Sequence, residues 1–251
     1  MTLMSGKSGT LTPRDQDILE TIFFCRYLST KEIATLFFTS FSRARARLPE
    51  LAKKGYIKGR TMYIRNPTWD DRAARETVWH LEKAGFTSVA DSLGLEEVYA
   101  SKPLLPKQAR HYVRAAEVYV AARDGLDDEL GPYPQWEWRH EKRAFYSGEY
   151  EDEPYKHNPD AHILFRDHVY IIERQTAESK VGPKAIYEKV RGHKLYAKVR
   201  LRKPAEVLFA CEDPNVAHQA ERAGEQYGIR VVGGDVQGTA DYLYSSAVRL
   251  S

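Results

Sequence analysis

The sequence predicts an α+β protein of two domains, and three observations support this prediction. The chain has 251 residues, which is more than one small domain needs. The first 70 residues hold 12 lysines and arginines against 6 acids, whereas the remaining residues hold 26 against 29. The predicted elements also change along the chain, from helices with a hairpin to alternating strands and helices. The formal net charge of only +3 therefore combines a basic N-terminal module with a second domain that carries a slight excess of acids.

Composition narrows the class of protein further. A hydrophobic content of 42% with 12% aromatic residues excludes a disordered chain. No apolar run approaches the ~18 residues of a membrane span, and residues 1–10 lack the apolar core of a signal peptide. Cys25 and Cys211 lie far apart and outside any CxxC motif. We therefore expect a cytoplasmic protein that binds no membrane.

Two helix starts are visible near the N-terminus. Thr12 precedes Pro13, which is the pairing of an N-cap with proline in the first helical turn. Ser29 and Glu32 have the spacing of a capping box, which predicts the start of a second helix. Apolar residues recur at helical spacing after both starts, so each helix should bury one face.

A basic helix and a hairpin follow. The third helix is expected to start near Ser40 or Ser42 and to end before Gly55, with Pro49 kinking or splitting it. Two short alternating segments around Gly59-Arg60 predict a hairpin with its turn at that pair. Helix, helix, basic helix and hairpin is the order of a winged helix-turn-helix, which we assign to residues 11–68.

The third helix is then the recognition helix, and double-stranded DNA is the expected partner. Long guanidinium groups at its N-terminal end could reach phosphates or guanine edges in the major groove. The predicted DNA-binding residues are Arg43, Arg45, Arg47 and Lys53 in the helix, with Lys58 and Arg60 in the hairpin. The alternative is a solvated helix face in a winged helix that contacts proteins. A winged helix often works as a dimer on a two-fold site, but no heptad repeat indicates a homodimer.

The rest of the chain divides into two predicted parts. Residues 69–130 should form a connecting strand and helices. The helix predicted from Pro106 to Gly125 suits either dimerisation or domain bridging, or simply the core of the second domain. Residues 131–251 show the order strand, strand, helix, strand, helix, strand, which predicts an α/β domain with a mixed sheet.

Three acids in this last domain have the pattern of a metal site. Asp160 starts one predicted strand and Glu173 ends the next, which places both carboxylates at one edge of a hairpin. Glu141 upstream could complete an oxygen-rich site suited to Mg²⁺ or Mn²⁺. Such an ion would polarise a phosphate and lower the pKa of an attacking water. Taken singly, each acid is more simply explained as a turn or surface residue.

The order Glu, Pro-Asp, then Glu-x-Gln resembles the PD-(D/E)xK nuclease superfamily, which implies a restriction-endonuclease-like fold. The resemblance implies catalytic roles for Glu141, Asp160 and Glu173. Gln175 stands where most members have a lysine, so it could orient a water but supplies no positive charge. Lys184 or Lys189 on the following helix could supply that charge. Glutamine here leaves both an active and an inactive site open.

The whole chain, from about residue 11 to 232, resembles the replication-relaxation family of plasmids and other mobile elements. The resemblance implies a DNA-binding role in replication or transfer, with replication or transfer proteins as further partners. That family favours Glu-x-Asp where this chain has Glu173-Arg174-Gln175. The motifs that carry the resemblance are Leu-Thr-Pro-Arg-Asp at 11–15, Ser-Arg-Ala-Arg-Ala-Arg-Leu at 42–48, Val78 to Leu81, His111, Trp138 to Glu141, Pro159 to Ala161, Ile172 to Thr176, and Lys189, Lys194 and Tyr196.

Other chemistries are less favoured by the sequence. The histidines form no zinc-binding pattern, and we expect His140, His157, His162 and His168 to be loop or surface residues. No glycine-rich phosphate motif is present, which disfavours an NTPase. Three functions stay open: a DNA-binding regulator of a mobile element with a weak or inactive nuclease-like domain, an active Mg²⁺- or Mn²⁺-dependent DNA endonuclease, and a protein-interaction adaptor.

Overall fold

The chain forms two compact units, Met1–Ala109 and Arg110–Ser251. The structure is a computed structural model that describes residues 11–63, 75–95, 106–131, 135–176 and 181–250, with the side chains of the third range described from residue 109. Both units combine helices and strands, so the α+β class is confirmed. Residues 69–130 form no unit of their own, because their strand and short helix belong to the first unit and most of their long helix to the second.

In the described residues before 96, the first unit contains four helices and a three-stranded antiparallel sheet. In chain order they are α1 (Pro13–Cys25), β1 (Leu28–Ser29), α2 (Thr30–Phe37), α3 (Phe41–Lys53), β2 (Ile57–Tyr63), β3 (Arg75–Leu81) and α4 (Lys83–Leu93). The strands pair in the order β1-β3-β2. Fully buried aliphatic side chains from the helices and β1 form its core, among them Ile18, Ile22, Leu28, Ile33 and Leu48.

Local signals set the helix starts as the sequence predicted. Thr12 and Asp15 form a reciprocal capping box at the start of α1, and Ser29 and Glu32 form another at the start of α2. Each box satisfies two backbone N–H groups that the first helical turn leaves without a partner. The predicted starts of these helices are therefore confirmed.

The predicted hairpin turn at Gly59-Arg60 is wrong. Both residues lie inside β2, which pairs along its whole length with β3, with Gly59 opposite Trp79. A Cβ atom at Gly59 would come within 2.7 Å of the Trp79 ring. Glycine occupies this position because a tryptophan side chain covers it, and not because the chain turns there. The residues that join the two strands lie outside the described ranges.

Pro49 does not split the basic helix, so one of the two predicted effects, a kink or a split, is wrong. Helix α3 runs without a break from Phe41 to Lys53, with Pro49 inside it. Proline removes one intrahelical N–H donor. Leu48 and Leu51 on either side of it are fully buried, and this packing stabilises the continuous helix.

The second unit is built on a five-stranded mixed sheet. Its elements are α5 (Pro106–Leu130), β4 (Trp136–His140), α6 (Glu141–Ala144), β5 (Tyr146–Tyr150), β6 (Glu153–His157), β7 (Ala161–Phe165), β8 (His168–Gln175), α7 (Pro183–Tyr196), a π-helical turn (Ala197–Leu201), β9 (Ala205–Cys211), α8 (Pro214–Tyr227), β10 (Arg230–Gly234) and α9 (Val236–Leu250). The strand order is β10-β9-β8-β7-β4, while β5 and β6 form a separate hairpin. The predicted order from β7 to β10 is confirmed.

The direction of the strands places the acidic residues together. Strands β4, β7 and β8 are antiparallel, and β8, β9 and β10 are parallel. Asp160 directly precedes β7, and Ala161 pairs with Ile172, so Asp160 and Glu173 lie at the same edge of the sheet. Within the described ranges, no helix combines the length and apolar character that crossing a bilayer requires.

Candidate nucleic-acid interface and carboxylate site

Helix α3 and strand β2 present a basic surface on the first unit. Arg43 and Arg45 are exposed on α3, and their guanidinium groups contact no acid among the described residues. Arg45 also lines a groove of about 470 Å³ between α3 and β3. The other exposed basic residues of the predicted set are Lys53, Lys58 and Arg60. This surface can accept phosphates without first breaking an ion pair.

Arg47 differs from its neighbours because it pairs within the unit. Its Nε lies 2.9 Å from Asp15 Oδ1, its Nη2 lies 2.6 Å from Asp15 Oδ2, and its Nη1 lies 2.5 Å from Glu50 Oε2. Asp15 is fully buried. Burial opposes ionisation of Asp15, but Arg47 and the Thr12 N–H and O–H groups outweigh it and lower the pKa to about 2. Arg47 therefore neutralises a buried carboxylate, whereas Arg43 and Arg45 do not.

In the second unit, one histidine joins two of the predicted acids. Asp160 is buried, and its Oδ1 lies 2.9 Å from Nε2 of His111 on α5. Its Oδ2 accepts the backbone N–H of Arg174 at 2.6 Å. Glu141 Oε2 lies 3.8 Å from the same His111 nitrogen, and the Glu141 N–H donates to the Asp160 carbonyl at 2.9 Å. Glu141 and Asp160 therefore converge on His111.

The third predicted acid, Glu173, lies fully buried on β8 among its own donors. Lys189 Nζ of α7 donates to its Oε2. His193 Nε2, one turn further along α7, lies 2.9 Å from its Oε1. The Gln175 amide nitrogen lies 3.4 Å from Oε2, at the long end of hydrogen-bond distances. The sequence placed Gln175 and Lys189 near this acid, and the structure brings both to it.

The two cations link all three acids electrostatically. The nearby charge of Asp160 is the main cause that raises the pKa of His111 to about 9, against the opposing effect of burial. Burial lowers the pKa of Lys189, but Glu173, Asp160 and Glu141 outweigh this effect and raise it. Burial alone would raise the pKa of Asp160, yet His111 and Lys189 bring it below its usual value. Asp160 is therefore ionised at neutral pH and faces two positive charges.

The donor chemistry of these acids suits a hard cation, but their present arrangement does not. Carboxylate oxygens of Glu141, Asp160 and Glu173 are the donors that Mg²⁺ and Mn²⁺ prefer. In the structure these oxygens contact His111 and Lys189 instead. Across the part of the chain that is described, no group of three or more histidine, cysteine, aspartate or glutamate side chains is arranged to hold a metal ion. A metal ion would have to displace one of the two cations.

A chain of buried histidines leads away from Glu173. His193 Nδ1 lies 2.9 Å from His157 Nδ1, and His157 Nε2 lies 2.6 Å from His162 Nε2. The Tyr196 ring stacks on His157 with 3.7 Å between ring centroids. The expectation that His157 and His162 are loop or surface residues is wrong, since both are buried on strands. The apolar run Ala161–Phe165 around His162 was the available signal for that residue, whereas the mostly polar strand Glu153–His157 offered none for His157.

Two of the three buried rings are neutral. Burial lowers the pKa of His157 and of His162, the latter to about 3, and the nearby His193 lowers both further. A neutral His157 ring has one donor and one acceptor nitrogen, so two hydrogen patterns fit the distances. Either His157 donates from Nδ1 to His193 and accepts at Nε2 from His162, or it accepts at Nδ1 and donates from Nε2.

Arg174 lies beside Glu173 but belongs to a different network. Successive side chains of a strand point to opposite faces of the sheet, so Arg174 faces α5. Its Nη2 lies 2.9 Å from Glu117 Oε2 and 2.8 Å from Glu212 Oε1. Arg114 of α5 donates to the same two acids. No local pattern in the sequence indicates this network, because its members lie up to 98 positions apart.

Comparison with known proteins gives one clear similarity. A family model described as "Replication-relaxation" matches residues 19–210. None of the curated proteins compared with the chain matches it. The solved structure of Bacillus subtilis PadR in complex with operator DNA aligns with 92% of this chain and 97% of its own, at 11% identity. Its TM-score is 0.24, which is too low to show a shared fold.

Proposed function

The chain belongs to the replication-relaxation family, and on that premise we propose that it is a DNA-binding protein of a plasmid or other mobile element. It acts in replication, in transfer or in their regulation, together with replication or transfer proteins. The first unit is the DNA-binding module, a winged helix-turn-helix with α3 as its recognition helix. Double-stranded DNA is its ligand.

The observation that carries this proposal is the contrast between the arginines of helix α3. Arg43 and Arg45 are exposed and unpaired among the described residues, while Arg47 two positions on is held by Asp15. The order helix, strand, helix, helix, strand, strand from α1 to β3 also fits a winged helix-turn-helix. Lys58 and Arg60 on β2 extend the positive charge to the predicted wing.

Salt-dependent binding tests this proposal. Fluorescence anisotropy with a labelled duplex should show an affinity that falls steeply as salt rises, with a slope near −0.9 per phosphate contact. Arg43→Ala and Arg45→Ala should each weaken binding, and Lys83→Ala on exposed α4 should not. If neither arginine substitution changes the affinity for DNA, the result favours the protein-interaction adaptor instead.

A second candidate function is metal-dependent DNA cleavage by the second unit, for which the carboxylate cluster is the motivating observation. Glu141 and Asp160 meet at His111, and Glu173 meets Lys189. A bound Mg²⁺ or Mn²⁺ ion would polarise the phosphate, while Lys189 would offset the charge of Glu173 and Gln175 would orient water. The restriction-endonuclease-like fold belongs to this candidate.

Plasmid cleavage separates the two candidates. The full chain is incubated with supercoiled plasmid and Mn²⁺ or Mg²⁺, beside Asp160→Asn, Glu173→Gln and the matched surface control Glu225→Gln. Nicking that both cluster variants abolish and the control retains would support an endonuclease. Absence of nicking with either metal would leave the second unit without this activity and favour the regulator.

A further inference from the structure

A cavity in the second unit opens beside the carboxylate cluster and has a chemistry of its own. Its volume is about 600 Å³, within the range of protein sites that hold small ligands. It lies between the end of β6 and the first two turns of α7. The side chains that define it are Lys156, Asn158, Lys184, Glu188, Lys189 and His193.

Two of the lysines in this cavity contact no acid within the described ranges. Lys156 and Lys184 are exposed, and neither side chain contacts an acid among the residues that the structure describes. The acid in the lining, Glu188, lies 3.8 Å from Arg191. Arg191 also pairs with Glu153, so Glu188 still offsets part of the lysine charge. The two lysines outnumber this acid, and with the amide of Asn158 they give the cavity a net positive charge that favours an anion.

The cavity and the carboxylate site share two side chains. Lys189 and His193 line the cavity, and both also hold Glu173. An anion in the cavity would thus lie next to Lys189 without replacing Glu173. The cavity is also larger than a bare phosphate needs, so a phosphate with attached sugar fits the space better.

We propose that this cavity binds a backbone phosphate of a DNA strand and so holds that strand against the Glu173–Lys189 pair. The ligand class rests on the proposed DNA-binding function, but the site is separate from α3. Lys156 and Lys184 contact the phosphate, and Asn158 donates its amide hydrogens. This contact is independent of base sequence, because phosphates carry no sequence information. Positive charge continues from the cavity along α7 and the π-helical turn. Residues 184–203 contain eight lysines and arginines.

Charge-reversal variants of the full chain test the proposal. Lys156→Glu and Lys184→Glu are compared with Arg222→Glu, which reverses an exposed charge on α8 away from the cavity. Binding of a labelled duplex is measured by anisotropy in EDTA, with the first unit intact and again in an Arg43→Ala/Arg45→Ala background. Each cavity variant should weaken binding to two duplexes of unrelated sequence by a similar factor. The Lys156→Glu/Lys184→Glu double variant should reduce the slope of log affinity against log salt concentration by about 2.

The outcomes separate this site from the recognition helix. An effect of the cavity variants that persists in the Arg43→Ala/Arg45→Ala background supports the cavity whatever α3 does. Cavity variants that bind like Arg222→Glu overturn the proposal even if the α3 variants fail to bind. Inorganic phosphate and thymidine monophosphate serve as competitors: displacement of the strand at this site supports the proposal. Lysine resonance shifts on adding these small anions, with strand affinity unchanged by the variants, would show a small-anion pocket and overturn it.

Discussion

His111 Nε2 lies 2.9 Å from Asp160 Oδ1, and this ion pair connects helix α5 to the residue that precedes strand β7. Asp160 is buried, while the His111 side chain keeps 42% of its surface exposed. The pair therefore joins a buried acid to a histidine that solvent and ligands can reach. Glu141, 3.8 Å from the same nitrogen, adds a second negative charge.

The first prediction concerns the charge of His111. Asp160, with Glu141, raises its pKa from 6.5 to about 9, so the ring stays protonated at neutral pH. Because the folded-state pKa is the higher one, the stability from this pair is complete below about pH 6.5 and is lost as pH rises through 9. An NMR titration of the His111 ring carbons measures the value. Asp160→Asn should bring it towards 6.5, and Glu225→Gln should leave it unchanged; a wild-type value near 6.5 would contradict the ion pair.

The second prediction concerns the three buried histidines. Nitrogen-15 shifts should show that His157 and His162 each carry a single ring hydrogen at neutral pH, because burial and the neighbouring His193 lower the pKa of both rings. His157→Phe keeps a ring against Tyr196 but removes the hydrogen-bond partner of His193 Nδ1 and of His162 Nε2. The loss should be about 1–3 kcal/mol of unfolding free energy for each stranded group.

Tyr196→Phe is the control for that substitution, since it keeps the ring that stacks on His157 and removes only a hydroxyl. Urea denaturation should find it close to the wild type. A doubly protonated His157 or His162 ring at neutral pH would contradict the prediction.

The third prediction separates two arginines of one helix. Arg47→Ala leaves buried Asp15 without its main partner and should cost about 2 kcal/mol of unfolding free energy at pH 7. Arg45→Ala should change stability little, because Arg45 is exposed. Urea denaturation of both variants measures the difference.

The acid dependence of the same pair gives an independent check. The pKa of Asp15 is lowered to about 2, so its contribution is present above the unfolded value near 4 and is lost as pH falls towards 2. The difference between Arg47→Ala and wild type should therefore shrink over that interval. A difference that is constant from pH 7 to pH 2 would show that Arg47 stabilises α3 by another route.

The features that sequence predicts well here depend on residues close together in the chain. Thr12 with Pro13, and Ser29 with Glu32, set helix starts through bonds within three or four positions. Asp160 and Glu173 were placed at one edge because a strand, a turn and a strand fix that relation. The turn expected at Gly59-Arg60 fails because Trp79, twenty positions later, requires glycine inside the strand.

The candidate site shows the same division. The three acids follow from a short ordered pattern in the chain. The role of His111 does not, because it depends on how α5 packs against the sheet edge, which no local pattern encodes. His193 was missed for a related reason: its place beside Glu173 and His157 follows from the close approach of α7 to β6.

The last prediction tests that close approach. A Cβ atom at Gly192 would lie 2.1 Å from the Lys156 carbonyl oxygen of β6, so Gly192→Ala must push α7 away from the hairpin. Overpacking of this kind costs about 1–3 kcal/mol, which thermal or urea unfolding can measure. Gly182→Ala is the matched control at the N-cap of the same helix, because the space around Gly182 is open and its φ of −74° suits alanine.

The displacement of α7 in Gly192→Ala should also weaken the His157–His193 bond, since these two residues flank the contact between Gly192 and Lys156. Gly192→Ala should therefore change the nitrogen-15 shifts of both rings, whereas Gly182→Ala should not; unchanged shifts in both variants would show that the histidine chain does not depend on how closely α7 packs on β6.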